Sequence, residues 1–465
     1  MTSHLVPGTR DELLEDAARR ARRYVVGAGH RPPAPSGAAL AGLDRFDEPL
    51  PETSSDPLDT LALLDDAGSP ATVASTGSRY FGFVTGGTLP VALACSWLAA
   101  AWDQNAALPV MSPVAARVQE VTRGWLADLL GLPAGTETVF VTGATMANTT
   151  ALAAARDAQL AVAGWDVQSR GLFGAPELTV VVGELAHSTL LKAAGLLGLG
   201  RDRLLKVPAD KAGRMRTDLL PEVHGPVVVC AQAGEVNSGS FDPFPEIVEW
   251  ARSRGAWVHV DGAFGLWALA DPSRAGLVRG LADADSWATD GHKWLNVPYD
   301  CGIVLVRRRE DLRRTFASVA GYLPPEEQFE AMHHTPQSSQ RARQIEIWAV
   351  LRSLGRSGVA DLVAGACRLA QQFAAGLSHG GLEVLNEVVL NQVLIRAIDD
   401  DATARLTAAV QAEGTCWCGP TFWQGAVAMR VSVSGWNTSF DDVEASIDAI
   451  LRCAREVGAL RAETS

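Results

Sequence analysis

The sequence predicts an α/β protein: a mostly parallel sheet covered on both faces by helices, with an N-terminal arm and a smaller C-terminal α+β domain. Three observations predict it. Apolar, β-branched runs recur at 138–142, 178–182, 226–230, 256–260, 285–289 and 302–306. Helix-period stretches, such as Met146 to Val162 and Phe244 to Arg254, lie between most of them. Continuous apolar strands separated by helices describe a sheet buried on both sides. Beyond about residue 345 the texture changes to one long helix, short strands and two further helices.

Residues 1–75 read as the arm. Arg10 to Tyr24 has helical character, Gly27 to Gly42 is a Pro/Gly/Ala-rich loop, and a second short helix is expected near Leu58 to Asp66. A segment this small cannot build its own core, so it is expected to pack on the main body or on another subunit. Residues 76–345 hold the alternating strands and helices of the large domain. Residues 346–465 form the small domain, which opens on a helix from Ile345 to Leu377 interrupted near Gly355 to Gly358.

Composition excludes several functions. The chain has 465 residues, 47% of them hydrophobic, and a formal net charge of -13. That acidity argues against nucleic acid, which requires basic stripes, and against anionic membrane surfaces. The chain runs into Arg10-Asp11-Glu12 without an apolar leader core, and no run is long or apolar enough to span a bilayer, so a cytoplasmic protein is expected. Its 7 cysteines are scattered, and most sit in apolar segments as reduced thiols. Cys416 and Cys418 form a lone C-x-C that no second pair or nearby His completes, so no metal site is expected.

Four pieces fall at strand ends, where open α/β sheets place their ligands. Thr142-Gly143-Ala144-Thr145 joins a strand to a long helix. Free N–H groups and the helix dipole make that a phosphate cradle, although any capped helix start reads the same way. Asp261 ends the run Trp257 to Val260, with the small Ala263 two residues on. A carboxylate there can hold a heterocyclic nitrogen protonated, or simply cap the turn. His187 follows another strand and can stack on a planar ring, shuttle protons, or open a helix. The fourth piece is Lys293 in Thr289-Asp290-Gly291-His292-Lys293-Trp294, in a chain whose other lysines are Lys192, Lys206 and Lys211. Arginine stays protonated and cannot readily form a Schiff base, whereas a lysine can. Cradle, ring stacker, acid and Schiff-base lysine are the parts that pyridoxal 5'-phosphate needs.

From about Tyr80 onward the chain resembles the pyridoxal-phosphate-dependent group II amino-acid decarboxylases, aromatic-L-amino-acid decarboxylase among them. The motifs are Ser112-Pro113, TGATMAN, AHSTLLKA, SGSFDPF, HVDGAFG, GHKWLNVPYDCG and RQIEIWAVLRSLG. The resemblance implies a fold type I enzyme with a large domain of the seven-stranded type, working as a homodimer with sites at the subunit interface. It implies that Lys293 is the Schiff-base lysine, that Asp261 pairs with the pyridine nitrogen, and that Ala263 and His187 lie on opposite faces of the ring. Ala144, Thr145 and His292 are then phosphate contacts, His292 alternatively a substrate-carboxylate contact. Asn237, Ser286 and Asp290 are further cofactor contacts, and Trp97 to Ser112 lines the neighbouring subunit's pocket.

The chain departs from the family pattern in places. Gly77-Ser78 stands where His-Pro is common, and Met146 where a Glu often follows the cradle hydroxyl. The stretch from Glu326 to Gln340, where many members carry a proton-donating Tyr, has none; Phe329, His333 and His334 are its candidates, with Tyr322 just upstream. The expected reaction is therefore decarboxylation of an L-amino acid to an amine. The alternatives are oxidative decarboxylation to an aldehyde and a non-catalytic dimeric scaffold. Phe81, Phe83, Trp97 and Trp102 favour an aromatic or bulky apolar substrate if they are not core. Arg430, in a small-domain strand, is expected to make a structural salt bridge.

Overall fold

The computed structural model describes residues 7–318 and 329–460. The arm contains α1 (Pro7–Gly27), α2 (Gly37–Ala41) and α3 (Pro57–Ala71). Arg20 of α1 reaches Asp65 at 2.9 Å and Asp66 at 3.0 Å on α3. Ion pairs near the surface contribute less than about 1 kcal/mol each, so they orient these helices without making them self-sufficient. Leu14, Val25, Val26, Leu40 and Leu64 remain exposed on the arm.

Next come α4 (Pro90–Trp102) and α5 (Pro113–Leu129). Helix α5 starts where it does because the Ser112 hydroxyl accepts from the Ala115 N–H and Pro113 fills the first turn. The large sheet contains β1 (Glu137–Val141), β2 (Thr179–Gly183), β3 (Leu205–Val207), β4 (Val227–Gln232), β5 (Trp257–Asp261), β6 (Ser286–Asp290) and β7 (Gly302–Val306), in the order β1-β7-β6-β5-β4-β2-β3. Its helices are α6 (Ala144–Val162), α7 (Val167–Arg170), α8 (Ser188–Leu196), α9 (Phe244–Arg252) and α10 (Arg309–Phe316).

Alternation along each strand explains the unbroken apolar runs. Val139, Val141, Val180, Val182 and Val228 face one core, together with Ala147, Ala151, Ala154 and Ala158 of α6. Phe140, Val181, Val227 and Val229 face the other, with Leu126, Trp267 and Trp287. Both faces are buried, so apolar residues occupy both parities.

Strand β7 is antiparallel to both of its neighbours, β1 and β6. The connection from β6 to β7 is residues 291–301, too short for a parallel crossover. The register pairs Asp290 with Gly302, so this loop leaves and re-enters the sheet at one edge. A Cβ on Gly302 would stand 2.5 Å from the Gly143 backbone, which restricts the position to glycine. The short strand β3 has no counterpart in the sequence reading: only Val207 of its three residues is buried, too little pattern to register.

The remaining elements are α11 (Gln344–His379), β8 (Glu383–Val384), β9 (Gln392–Arg396), α12 (Asp400–Glu413), β10 (Gly419–Trp423), β11 (Ala426–Ser432) and α13 (Phe440–Glu456). The four strands form an antiparallel sheet in the order β10-β11-β9-β8. Helix α11 breaks at Gly355 (φ 62°, ψ -175°), a conformation a side chain rarely adopts. Among the described residues no helix is long and apolar enough to cross a membrane.

Candidate active site

A cavity of about 650 Å³ opens at the C-terminal ends of the parallel strands, and all four strand-end pieces meet there. Ala144, Thr145, His187, Asn237, Asp261, Ala263, His292 and Lys293 line it. The first turn of α6 faces the cavity directly after β1, which leaves N–H groups and the positive end of the helix dipole for an anion. One of them, the Ala144 N–H, donates to Asp290 Oδ1 at 2.6 Å.

Lys293 Nζ lies 3.0 Å from Asp290 Oδ2. Asp290 is itself fixed by its strand, and its carbonyl accepts from Trp267 Nε1 at 3.0 Å. The lysine loop is clamped by Asn296, which sits at φ 55°. Its side chain accepts from the Gly87 N–H at 2.6 Å and the Trp436 N–H at 3.1 Å, and donates to the carbonyls of Trp294 and Ser434. Sequence reasoning missed this residue, although Asn is among the few side chains that tolerate the left-handed region. His292 Nδ1 accepts from the Cys301 N–H at 3.1 Å, leaving Nε2 to face Asp290 at 3.5 Å. Burial pushes the His292 imidazole below its ordinary range.

His187 takes the helix-start position that is one of its readings. It opens α8, its Nδ1 facing the Thr189 N–H at 3.3 Å and hydroxyl at 2.8 Å, and it also lines the cavity. Burial lowers its pKa as well.

Asp261 accepts from the Asn148 side chain at 2.9 Å and the Ala263 N–H at 3.2 Å. Behind it runs a chain of hydrogen bonds. His259 Nε2 lies 2.9 Å from Asn148 Oδ1, His259 Nδ1 lies 2.9 Å from Ser286 Oγ, and Trp257 Nε1 donates to Ser286 Oγ at 2.9 Å. An indole N–H can only donate and a carboxylate only accepts. Every bond therefore points from Trp257 through Ser286, His259 and Asn148 to Asp261, with His259 neutral and its proton on Nε2. Sequence reasoning did not single out Asn148 or His259. Ser286 is a correction: it is fully buried and does not line the cavity, because it opens β6 at the end of the strand remote from the ligand.

Complete burial holds the His259 pKa at about 4, against 6.5 for a free imidazole. Between those values the unfolded chain binds a proton that the folded chain does not. Stability thus rises with pH across this window and is lost as pH falls from 6.5 towards 4, by on the order of 3 kcal/mol in full. The urea midpoint should drop between pH 7 and 4.5, and drop less in His259→Gln, which can keep both neighbours bonded. Equal slopes for the two proteins would remove His259 as the cause.

Arg430 does not make the salt bridge expected of it. Among the described residues it has no ion-pair partner, and its guanidinium donates to the Val236 carbonyl at 3.1 Å while facing the cavity. Burial lowers its pKa. Asn237 accepts from the Thr421 hydroxyl at 2.6 Å, next to Arg430 Nη1 at 3.4 Å. Phe81 is core, edge-on to Phe373, while Phe83 is on the cavity wall. Trp97 and Trp102 are exposed on α4 and do not line this chain's cavity. Phe329, His333 and His334 are also away from it: Phe329 stacks on His334, and His333 approaches Glu330 at 3.1 Å. Tyr322 and residues 326–328 lie outside the described residues. No group of metal-binding side chains occurs among the described residues.

The cavity fits pyridoxal phosphate on its own chemistry. Its lining supplies an anion cradle, a carboxylate, a methyl side chain, an imidazole and a lysine amine. Residues 52–398 match the family model described as the pyridoxal-dependent decarboxylase conserved domain. L-2,4-diaminobutyrate decarboxylase of Rhizobium meliloti (strain 1021) is 31% identical over 382 residues, which is 77% of this chain and 72% of the relative. Aromatic-L-amino-acid decarboxylase of Bacillus atrophaeus is 26% identical over 372 residues, 77% of this chain and 75% of the relative. The crystal structure of Oryza sativa TDC with PLP and tryptamine has the same fold, with a TM-score of 0.89 over 98% of this chain and 99% of that one at 22% identity.

Proposed function

Because this chain belongs to the pyridoxal-dependent decarboxylase family and is a pyridoxal-phosphate-dependent carboxy-lyase of amino acids, we propose that its substrate carries an aromatic or bulky apolar side chain and leaves as amine and CO2. The observation that carries this reading is the charge inventory of the cavity. Among the described residues that line it, the lysine and arginine side chains are Lys293 and Arg430 alone. Lys293 is reserved for the cofactor aldehyde and Arg430 for the substrate α-carboxylate, so no such cation is left for an acidic side chain. Asp261 and Asp290 are its carboxylates among the described residues; Asp290 is paired with Lys293, which leaves Asp261 for the ring nitrogen.

The wall supports the same choice. Tyr80 and Phe83 each stack with Trp417, at centroid distances of 5.2 and 5.5 Å. Phe83 (φ 55°) and Val84 (φ 56°) are consecutive non-glycine residues in the left-handed region. Backbone strain of that kind persists only where packing enforces it, and it clusters at ligand sites. Here it sets an aromatic ring at the cavity mouth.

In this reading the α6 N–H groups and Thr145 bind the phosphate, Asp261 holds the proton on the ring nitrogen, and Ala263 and His187 keep the ring flat. Arg430 binds the α-carboxylate and fixes the bond to be broken. Bound pyridoxal phosphate supplies the sink for the electron pair left by CO2. Exposed Leu98, Trp97, Trp102, Val110 and Met111, together with the apolar residues of the arm, support a homodimer, because lone chains seldom leave so much apolar surface open.

A CO2-release screen over the amino acids, with product identification, tests the substrate class. Aromatic and large apolar amino acids should lead, with amine as product. A lead for glutamate, cysteine sulfinate or 2,4-diaminobutyrate, or aldehyde with oxygen uptake, would overturn it. Arg430→Met should lower kcat/KM on the order of 10²-fold, mainly through KM, since a charge-assisted bond to substrate is lost. An unchanged KM would return Arg430 to a structural role.

A further inference from the structure

We propose that Tyr299 is the acid that protonates the substrate carbon after its carboxyl group has left, an inference that rests on the decarboxylase reading above. Tyr299 lies in the same short loop as Lys293, lines the cavity, and packs against the His292 ring at 4.4 Å. Its phenol makes no hydrogen bond to a described residue, and the side chain is 63% exposed. An O–H group is thus free to donate into the cavity and open to solvent for its return.

Most of the other donors in the cavity are committed elsewhere, with His187 Nε2 the exception. The His292 proton, on Nε2, faces Asp290, because Nδ1 accepts from the Cys301 N–H. The Thr421 hydroxyl donates to Asn237. Lys293 is held by Asp290 at 3.0 Å, and Thr145 stands in the phosphate cradle. His187 presents its ring to the cavity from the start of α8, with Nδ1 occupied by Thr189. Tyr80 is buried against Trp417 and outside the cavity wall; burial, then the neighbouring Tyr299, push its phenol up. Phe329, His333 and His334 are folded away.

The step balances without an oxidant. The Tyr299 O–H bond breaks, and a C–H bond forms with the electron pair that CO2 left behind. The phenolate then takes a proton from water, to which its exposed edge has access.

The test compares holoenzyme carrying Tyr299→Phe or Tyr322→Phe with the parent. CO2 release and amine formation are measured separately in the first turnover, with rapid-scan absorbance. In Tyr299→Phe the resting cofactor band should be unchanged and CO2 release nearly so. Amine formation should fall roughly 10²- to 10³-fold, the range for losing a general acid, while a longer-wavelength band accumulates. Tyr322→Phe should match the parent. Amine formation at the parental rate in Tyr299→Phe, the deficit appearing in Tyr322→Phe instead, or loss of the resting band would each overturn the proposal. A parent that releases no CO2 from any amino acid fails the decarboxylase reading itself, a result distinct from all of these.

Discussion

Lys293→Ala is expected to abolish amine formation, with a loss on the order of 10⁴-fold or more. No other amine in the cavity can replace it: Lys192, Lys206 and Lys211 do not line the site, and the Arg430 guanidinium does not form a Schiff base. The cofactor's visible absorbance band at the lysine should vanish with the activity. A structural cost comes with it. Lys293 is the ammonium partner of a nearly fully buried carboxylate. Its removal leaves Asp290 with the Ala144 N–H and a distant His292, a deficit of about 1–3 kcal/mol. Lys293→Arg should restore part of that stability and none of the chemistry. A Lys293→Ala protein that keeps both band and turnover would refute the assignment, and a loss of turnover shared by an unfolded variant is excluded by comparing urea midpoints.

Asp261→Asn is the second large effect. The substitution preserves shape and leaves Asn148 an acceptor oxygen to bond, so the protein should fold and still bind cofactor. In the proposed role it removes the charge that would keep the ring nitrogen protonated, and with it most of the driving force for holding the electron pair. A drop in kcat on the order of 10³-fold, about 4 kcal/mol, is expected. Steady-state kinetics with cofactor saturation checked by absorbance will show it, and a drop smaller than tenfold would mean that the carboxylate only caps its turn.

Much of this was legible in the chain because two-sided burial writes itself into sequence. Strands β1, β2, β4, β5, β6 and β7 are apolar on both parities and stood out, whereas β3 exposes Leu205 and Lys206 and did not. The Gly355 break in α11 was legible because two glycines mark it. Lys293, Asp261, His187 and Thr145 could be placed because strand ends gather at one edge of a parallel sheet. Direction was not legible. Ser286 shares a strand with Asp290 but stands four residues back, and only the register opposite His259 reveals that it serves the core. Arg430 occupies an ordinary strand position, and nothing in its neighbours along the chain tells that β11 turns it towards a cavity formed by the other sheet. Asn148 and Asn296 act through partners distant in sequence, which a local pattern cannot register.

The bonds from Trp257 to Asp261 have one polarity, set by an indole that can only give a proton at one end and a carboxylate that can only receive one at the other. Reversing any one member would require reversing all of them, and the indole forbids it. The Asp261 carboxylate's rotamer is therefore specified from the protein interior, and a conservative change at the far end, such as Trp257→Phe, blurs the orientation of a group it never touches. The reaction is vulnerable to errors of alignment that leave every wall of the pocket intact.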